Sequence, residues 1–274
     1  MRKLYPLLSI LFLTFCCIKE PKDYDPKLIG RDGITLIIKD GIIYDQETGQ
    51  QYSGPSFSIF KNGKRVNGNS KNGKEDGTFT QWDENGNKIY ERTYKDGEKD
   101  GLEIEWYETG QKKLEGTYKN GKKDGLFTRF YKNGEKEIES NVKDNKSNGI
   151  TTMWYENGQK KMMGTYINDE LDGPFYEWYE NGQKKLKSNI KFSKTSGIVT
   201  KWYETGNLKS KESYVNSKQH GLSTSWYDNG QKQYEGTFKD GYRQGLQKKW
   251  YKNGLKEYEG FFENGKKNGT KMVQ

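Results

Sequence analysis

The stretch Leu102–Gly125, L-E-I-E-W-Y-E-T-G-Q-K-K-L-E-G-T-Y-K-N-G-K-K-D-G, decides the fold, because the chain repeats it in register on both sides. All seven tryptophans (Trp82, Trp106, Trp154, Trp178, Trp202, Trp226 and Trp250) are separated by multiples of 24 residues, and Phe130 fills the one remaining place in the series. A glycine column keeps the same step from Gly77 through Gly101 and Gly125 to Gly245 and Gly269, bounding eight unbroken units. An aromatic or β-branched column does likewise: Tyr94, Tyr118, Val142, Tyr166, Ile190, Tyr214, Phe238, Phe262. A fixed period without insertions means one supersecondary unit copied along a line, each copy packing on its neighbours. A regular array of this kind supplies a surface rather than a pocket.

Each unit reads as two strands. In Leu102-Glu103-Ile104-Glu105-Trp106 apolar and charged residues alternate, the period of a pleated strand with one buried face. The return segment Leu114-Glu115-Gly116-Thr117-Tyr118 alternates the same way. Between them Glu108-Thr109-Gly110 fits a three-residue hairpin loop, a type I turn followed by a left-handed glycine. If Tyr107 pairs with Gln111, Leu102 falls opposite Gly116 and Ile104 opposite Leu114, which places every apolar column on one face. A second turn, Lys119-Asn120-Gly121, leads into the next unit. Gly116 recurs as Gly164, Gly236 and Gly260, and as Ser140 and Ser188. A small residue there is expected to let a neighbouring Trp or Tyr ring lie on the backbone. Burying such a ring is worth roughly 2–3 kcal/mol, against about 1 kcal/mol for the missing side chain.

The run Glu115-Gly116-Thr117-Tyr118-Lys119-Asn120-Gly121-Lys122-Lys123-Asp124-Gly125-Leu126, with Trp154-Tyr155-Glu156-Asn157-Gly158-Gln159-Lys160 as the following segment of a later copy, resembles the MORN repeat (membrane occupation and recognition nexus) in its bacterial variant form. The resemblance covers about residues 52–274. It implies an all-β, elongated single-sheet solenoid of about nine antiparallel β-hairpin repeats. Upstream, Tyr52–Lys64 reads as a degenerate copy, its Gly54 preceding Gly77 by 23 residues rather than 24. The chain departs from the family in its central turns, where the glycine becomes Asn145, Asp169, Ser193 and Ser217. Asn and Asp tolerate the left-handed conformation and Ser less so, so the two serine turns are expected to change shape. The family includes membrane-associated scaffolds, domains appended to enzymes and, in some bacteria, antitoxin-like proteins.

Composition alone would point elsewhere. A mean hydropathy of −1.16 suggests disorder, but 14% aromatic residues held in periodic columns argue for an ordered sheet. At the N-terminus Arg2 and Lys3 precede a 12-residue apolar run, Leu4–Phe15, that ends at Cys16-Cys17. That is a signal-peptide layout, too short to span a membrane comfortably. The two cysteines, the only ones in the chain, stand where a lipobox places the acylated residue. Cys17 is favoured over Cys16, because the small Cys16 precedes it whereas bulky Phe15 precedes Cys16. The domain plan is therefore 1–17 signal peptide and lipobox, 18–33 tether, 34–76 N-terminal cap and degenerate repeat, and 77–274 repeat array. The expected location is the bacterial cell envelope, lipid-anchored in the outer or cytoplasmic membrane, or otherwise secreted or periplasmic.

The formal charge of +9 falls to +7 if cleavage before Cys17 removes Arg2 and Lys3, leaving 45 basic against 38 acidic residues. Lysines concentrate in turns such as Gln111-Lys112-Lys113 and Gly121-Lys122-Lys123. They read either as protection of sheet edges or as a basic rim that attracts anionic lipid, polysaccharide or an acidic protein. Nucleic acid is not an expected partner, because export removes the chain from it and no groove-reading helix is present. No catalytic constellation is expected. The single histidine, His220, occupies a column otherwise holding Asp76, Asp100, Asp124 and other polar turn residues. No His/Cys/carboxylate cluster has metal-ligand spacing, no phosphate loop is present, and no serine stands in a nucleophile elbow. Neither a metal nor a cofactor is expected.

Two surfaces remain as candidate binding sites. Tyr107, Tyr131, Tyr155, Tyr179, Tyr203, Tyr227 and Tyr251 follow the Trp column and by alternation face the other side of the sheet, with Phe79, Phe127 and Phe175. They form either a second packed face or an exposed aromatic ladder of the kind that marks partner surfaces. The second candidate is the central turn, where Phe192 with Lys191 and Lys194 suits an anionic, partly apolar partner. The resulting expectation is a non-enzymatic, membrane-anchored scaffold that binds protein or lipid, with an antitoxin-like neutralising partner as the alternative.

Overall fold

The computed structural model describes residues 27–59 and 65–271; Cys16, Cys17, the signal segment, the first part of the tether and residues 60–64 lie outside them. Among the described residues, 25 strands form one open antiparallel sheet, and the one helical element is a 3-10 turn at Arg31–Gly33. Each unit contributes an outgoing strand, such as Glu98–Trp106, and a return strand, such as Lys112–Lys119. The expected hairpin loop is present: Tyr107 N–H donates to Gln111 O (2.8 Å), Gly110 N–H donates to Tyr107 O (2.9 Å), and Gly110 is left-handed at φ 81°.

The register beyond that loop corrects the expected faces. Trp106 pairs with Lys112, but Glu105 then pairs with Leu114, Glu103 with Gly116 and Leu102 with Thr117. Lys113 is an extra residue on the return strand, a β-bulge that shifts everything after it by one position. Leu102, Ile104 and Trp106 therefore lie on the face opposite Leu114, Gly116 and Tyr118. Most of the core belongs to the second set, joined by the column of Glu103, although Ile104 is also buried on the Trp face at 9% exposure. In neighbouring units that column holds Phe79, Phe127, Phe175 and Val199, all buried, and Glu103 itself is only 3% exposed. Leu102, expected in the core, is 39% exposed.

A second register shift lies between the pairs Arg92↔Glu103 and Tyr94↔Lys99, where Gly101 takes φ 123°. On the core face, rings of adjacent strands meet edge to face, Tyr118 with Phe127 (5.5 Å, 78°) and Phe79 with Tyr94 (5.3 Å, 75°). The small-residue column works as expected, with a change of ring. A Cβ on Gly116 would lie 2.3 Å from Phe127 and one on Gly68 2.1 Å from Phe79, so the ring seated there is Phe, whereas at Gly260 it is the expected tyrosine, Tyr258, 2.1 Å away.

The N-terminal copy explains its own 23-residue spacing. Gly54–Ile59 pairs with Arg65–Lys71 in unbroken register from Gly54↔Ser70 to Ile59↔Arg65. The missing residue is the bulge itself. Lys27–Ile29, read from sequence as tether, instead pairs with both Thr35–Lys39 and Gly54–Ile59. These strands close a small cluster of Leu36, Ile43 and Tyr52 at the start of the array. Tyr52 anchors it, accepting from Arg31 N–H at 2.7 Å and donating to Pro55 O at 2.7 Å.

Candidate recognition surface

The units are stitched together along both turn edges. At the hairpin-loop edge each tyrosine of the ladder reaches one unit ahead. Tyr107 Oη donates to Phe130 O (2.7 Å), Tyr131 to Trp154 O (2.8 Å), Tyr155 to Trp178 O (3.0 Å) and Tyr179 to Trp202 O (2.9 Å). Tyr203 and Tyr227 repeat the contact onto Trp226 O and Trp250 O. Burial at the junctions raises the phenol pKa of Tyr107, Tyr131, Tyr155 and Tyr203, which keeps the donated proton in place. Tyr251, at the last unit, is exposed. The ring faces carry cations in the centre, with Lys161, Lys185 and Lys209 Nζ lying 5.4, 5.9 and 5.1 Å from Tyr155, Tyr179 and Tyr203. Asn133, Asn157, Asn181 and Asn229 reinforce the same edge, each donating to a carbonyl of the next loop.

At the opposite edge every turn is a two-residue type I′ turn, with both central residues left-handed, as in Asn120 (φ 48°) and Gly121 (φ 73°). The serine turns keep this shape, correcting the expectation: Phe192 and Ser193 have φ 48° and 57°, and Asn216 and Ser217 have φ 49° and 64°. What the non-glycine residue adds is a bond. Asn145 Oδ1 accepts from Lys123 N–H (2.8 Å), Asp169 Oδ1 from Ser147 N–H (2.7 Å) and Ser217 Oγ from Thr195 N–H (3.0 Å), each one unit back. A glycine cannot supply this, so the central substitutions offset left-handed strain with a second inter-unit tie. At the Phe192-Ser193 turn the inter-unit tie is instead Phe192 N–H donating to Asp172 Oδ2 (3.4 Å); the Phe192 ring is 68% exposed, with Lys191 Nζ 5.9 Å from its centroid and Lys194 paired with Lys191 across the turn. His220 Nδ1 lies 3.5 Å from Asp240 Oδ1 at the same edge.

Between the edges lies the Trp face. The bulge places residues three apart on the same side, so Lys88 reaches Glu91 (2.7 Å), Lys112 reaches Glu115 (2.8 Å) and Lys232 reaches Glu235 (2.6 Å). Lysines of this column, Lys136 with its Glu139 partner among them, also cover the tryptophan of the next unit: Lys88 lies 5.3 Å from Trp106, Lys136 5.6 Å from Trp154 and Lys232 5.7 Å from Trp250. Beside them Leu102, Leu126, Ile150, Ile198 and Leu222 form an exposed aliphatic row.

The core face holds a charged cluster that the sequence reading did not find. Glu103 accepts from Arg92 Nε and from Lys99 Nζ (2.8 Å). Burial pushes its pKa up, but the Lys99 hydrogen bond and the charges of Lys99 and Arg92 outweigh it, leaving the carboxyl below its usual range. Burial, followed by the neighbouring Glu75, raises the Tyr94 phenol to about 12. The signal was present across units rather than along the strand, since Arg92 stands in a column of Gly and Ser otherwise broken only by Glu212, and Glu103 in a column that holds Phe79, Phe127 and Phe175. The cluster substitutes an ion pair for a ring over a small residue, which makes it a piece of core. Among the described residues no group of three or more His, Cys, Asp or Glu side chains could hold a metal ion.

A single-layer sheet of stitched 24-residue hairpins defines a repeat protein. The MORN repeat variant family matches residues 75–96, 99–120, 123–144, 147–168, 171–191, 196–216 and 219–240. The chain belongs to that family. The unit beyond the last match keeps the same strands, Tyr242–Trp250 and Lys256–Glu263. No curated protein matches the chain. No helix among the described residues is long and apolar enough to cross a membrane.

Proposed function

We propose that this protein is a non-enzymatic binding scaffold, anchored to a membrane of the bacterial cell envelope through Cys17 or Cys16, and that its Trp face receives the partner. The observation that carries this reading is the aliphatic row beside the half-buried tryptophans. The sheet satisfies its own backbone bonds through unit-to-unit ties, yet leaves Leu126, Ile150, Ile198 and Leu222 in solvent. A row of exposed aliphatic side chains on an otherwise satisfied element marks an interaction site. The apolar Leu4–Phe15 segment followed by paired cysteines supports export and acylation.

The test has two arms. Cells fed radioactive fatty acid should label the wild-type protein and not the Cys16→Ala/Cys17→Ala variant; unchanged labelling of the variant refutes the anchor. In-cell crosslinking from a photoreactive residue at position 126 or 198 should trap a partner, whereas the same probe at position 95 on the turn rim should not. Equal trapping from all three positions refutes the assignment of the face.

A further inference from the structure

The middle of the Trp face reverses the charge of the rest. One cross-strand row runs Thr80, Glu91, Ile104, Glu115, Thr128, Glu139, Thr152 through the first units. The same row continues Met163, Tyr176, Lys187, Thr200, Lys211, Thr224 and then returns to Glu235. Two glutamate positions have become Lys187 and Lys211. The clamp disappears with them, because Lys184 faces Lys187 where Lys112 faces Glu115. Lys184, Lys187 and Lys211 are exposed and have no acidic partner among the described residues. Ile198, 61% exposed, lies on the same face.

We infer that this band is the docking site for an acidic, amphipathic helix of a partner protein, laid across the strands; the inference rests on the scaffold reading above. Spacing selects the helix. Lys187 and Lys211 are two strands apart, about 10 Å. An extended segment crossing the sheet advances about 10 Å in three residues, but its third residue points to the opposite side. A helix advances about 10.5 Å in seven residues and brings residue i+7 back to the same face. Carboxylates at i and i+7 can therefore meet both lysines, while apolar residues between them meet Ile198 and the ring of Trp202, which lie on the strand between the lysines. Thr200, between the two lysines, is small enough to leave the floor open.

The probe is a synthetic helical peptide with glutamate at i and i+7 and leucines on the same face, titrated calorimetrically into the full chain. Lys187→Glu/Lys211→Glu restores the glutamate row of the outer units, and circular dichroism should show the fold intact. That variant should bind about tenfold more weakly at low salt. A peptide carrying lysine at i and i+7 should recover the loss. Unchanged affinity in the variant, or equal binding of a peptide with the same composition and glutamates at i and i+5, overturns the inference. So does tighter binding to anionic vesicles or to a polyuronate chain than to the peptide. If crosslinking at 126 and 198 succeeds while the peptide fails, the scaffold reading stands and this site falls; if crosslinking also fails, both fall.

Discussion

Gly116 and Phe127 are predicted to be coupled, and the protein supplies its own control. Serine at position 116 would place Cβ 2.3 Å from the Phe127 ring, so Gly116→Ser forces the ring to move at about 1–3 kcal/mol. Phe127→Thr removes a buried ring and its edge contact with Tyr118, costing about 3–4 kcal/mol. Independent effects would sum to about 4–7 kcal/mol. The double variant, however, recreates a pair already present one unit on, where Ser140 Oγ and Thr151 Oγ1 are 2.7 Å apart. The space opened by the lost ring receives the added hydroxymethyl group, and each hydroxyl gains a partner. The double variant should therefore recover about 1–3 kcal/mol of the sum. Denaturant unfolding gives the global change, and hydrogen exchange at amides 114–130 gives the local one. Additivity within about 0.5 kcal/mol would refute the pairing of small and large residues across this column.

Tyr155→Phe, which removes one tie between central units, should destabilise by about 1 kcal/mol in denaturant unfolding, whereas Tyr251→Phe, exposed at the last unit, should be neutral. Folding lowers the Glu103 pKa, so the unfolded chain binds that proton more readily; stability is full above the ordinary value of 4.5 and falls as the pH drops through the folded value. Glu103→Gln should flatten this acid limb of a stability–pH curve while costing about 1–3 kcal/mol at neutral pH; an unchanged acid limb would show that the cluster is not the titrating element. Phe192→Asn/Ser193→Gly places the favoured residues in a left-handed turn and should stabilise by about 1–2 kcal/mol. If the turn also serves binding, partner crosslinking should weaken as stability rises. Trp154→Ala should cost about 2 kcal/mol, less than for a fully buried ring, and hydrogen exchange should show a wider loss of protection than for Trp250→Ala.

The repeat and its strands were legible because the tryptophans mark a period that no irregularity interrupts. The loop at Glu108-Thr109-Gly110 was legible from its turn chemistry. The faces were not, because a single bulge residue, Lys113, reverses the parity of everything after it and leaves no mark on the alternation of either strand. Two signals did exist. The N-terminal copy lacks that one residue, and the charged positions of one strand, Glu103 above all, become Phe127 and Phe175 in neighbouring units. Columns read across units predict burial here better than alternation read along a strand. The charge reversal at Lys187 and Lys211 was missed for the same reason: each lysine is unremarkable in its own segment and unusual only in its row.

The ties between units have one further consequence. Each tyrosine hydroxyl reaches the carbonyl 23 residues ahead, and each second turn residue bonds 22 residues back, as Gly121 N–H does to Lys99 O. From Tyr107 to Trp250 the junctions are thus made by the same pair of offsets, and excising or inserting one whole unit within that span would reuse the same pair of ties. Such a change would alter only its length, by two strand spacings or about 10 Å. For an array held at one end, the number of copies works as a ruler, setting in steps of that size how far the recognition band stands from its point of attachment.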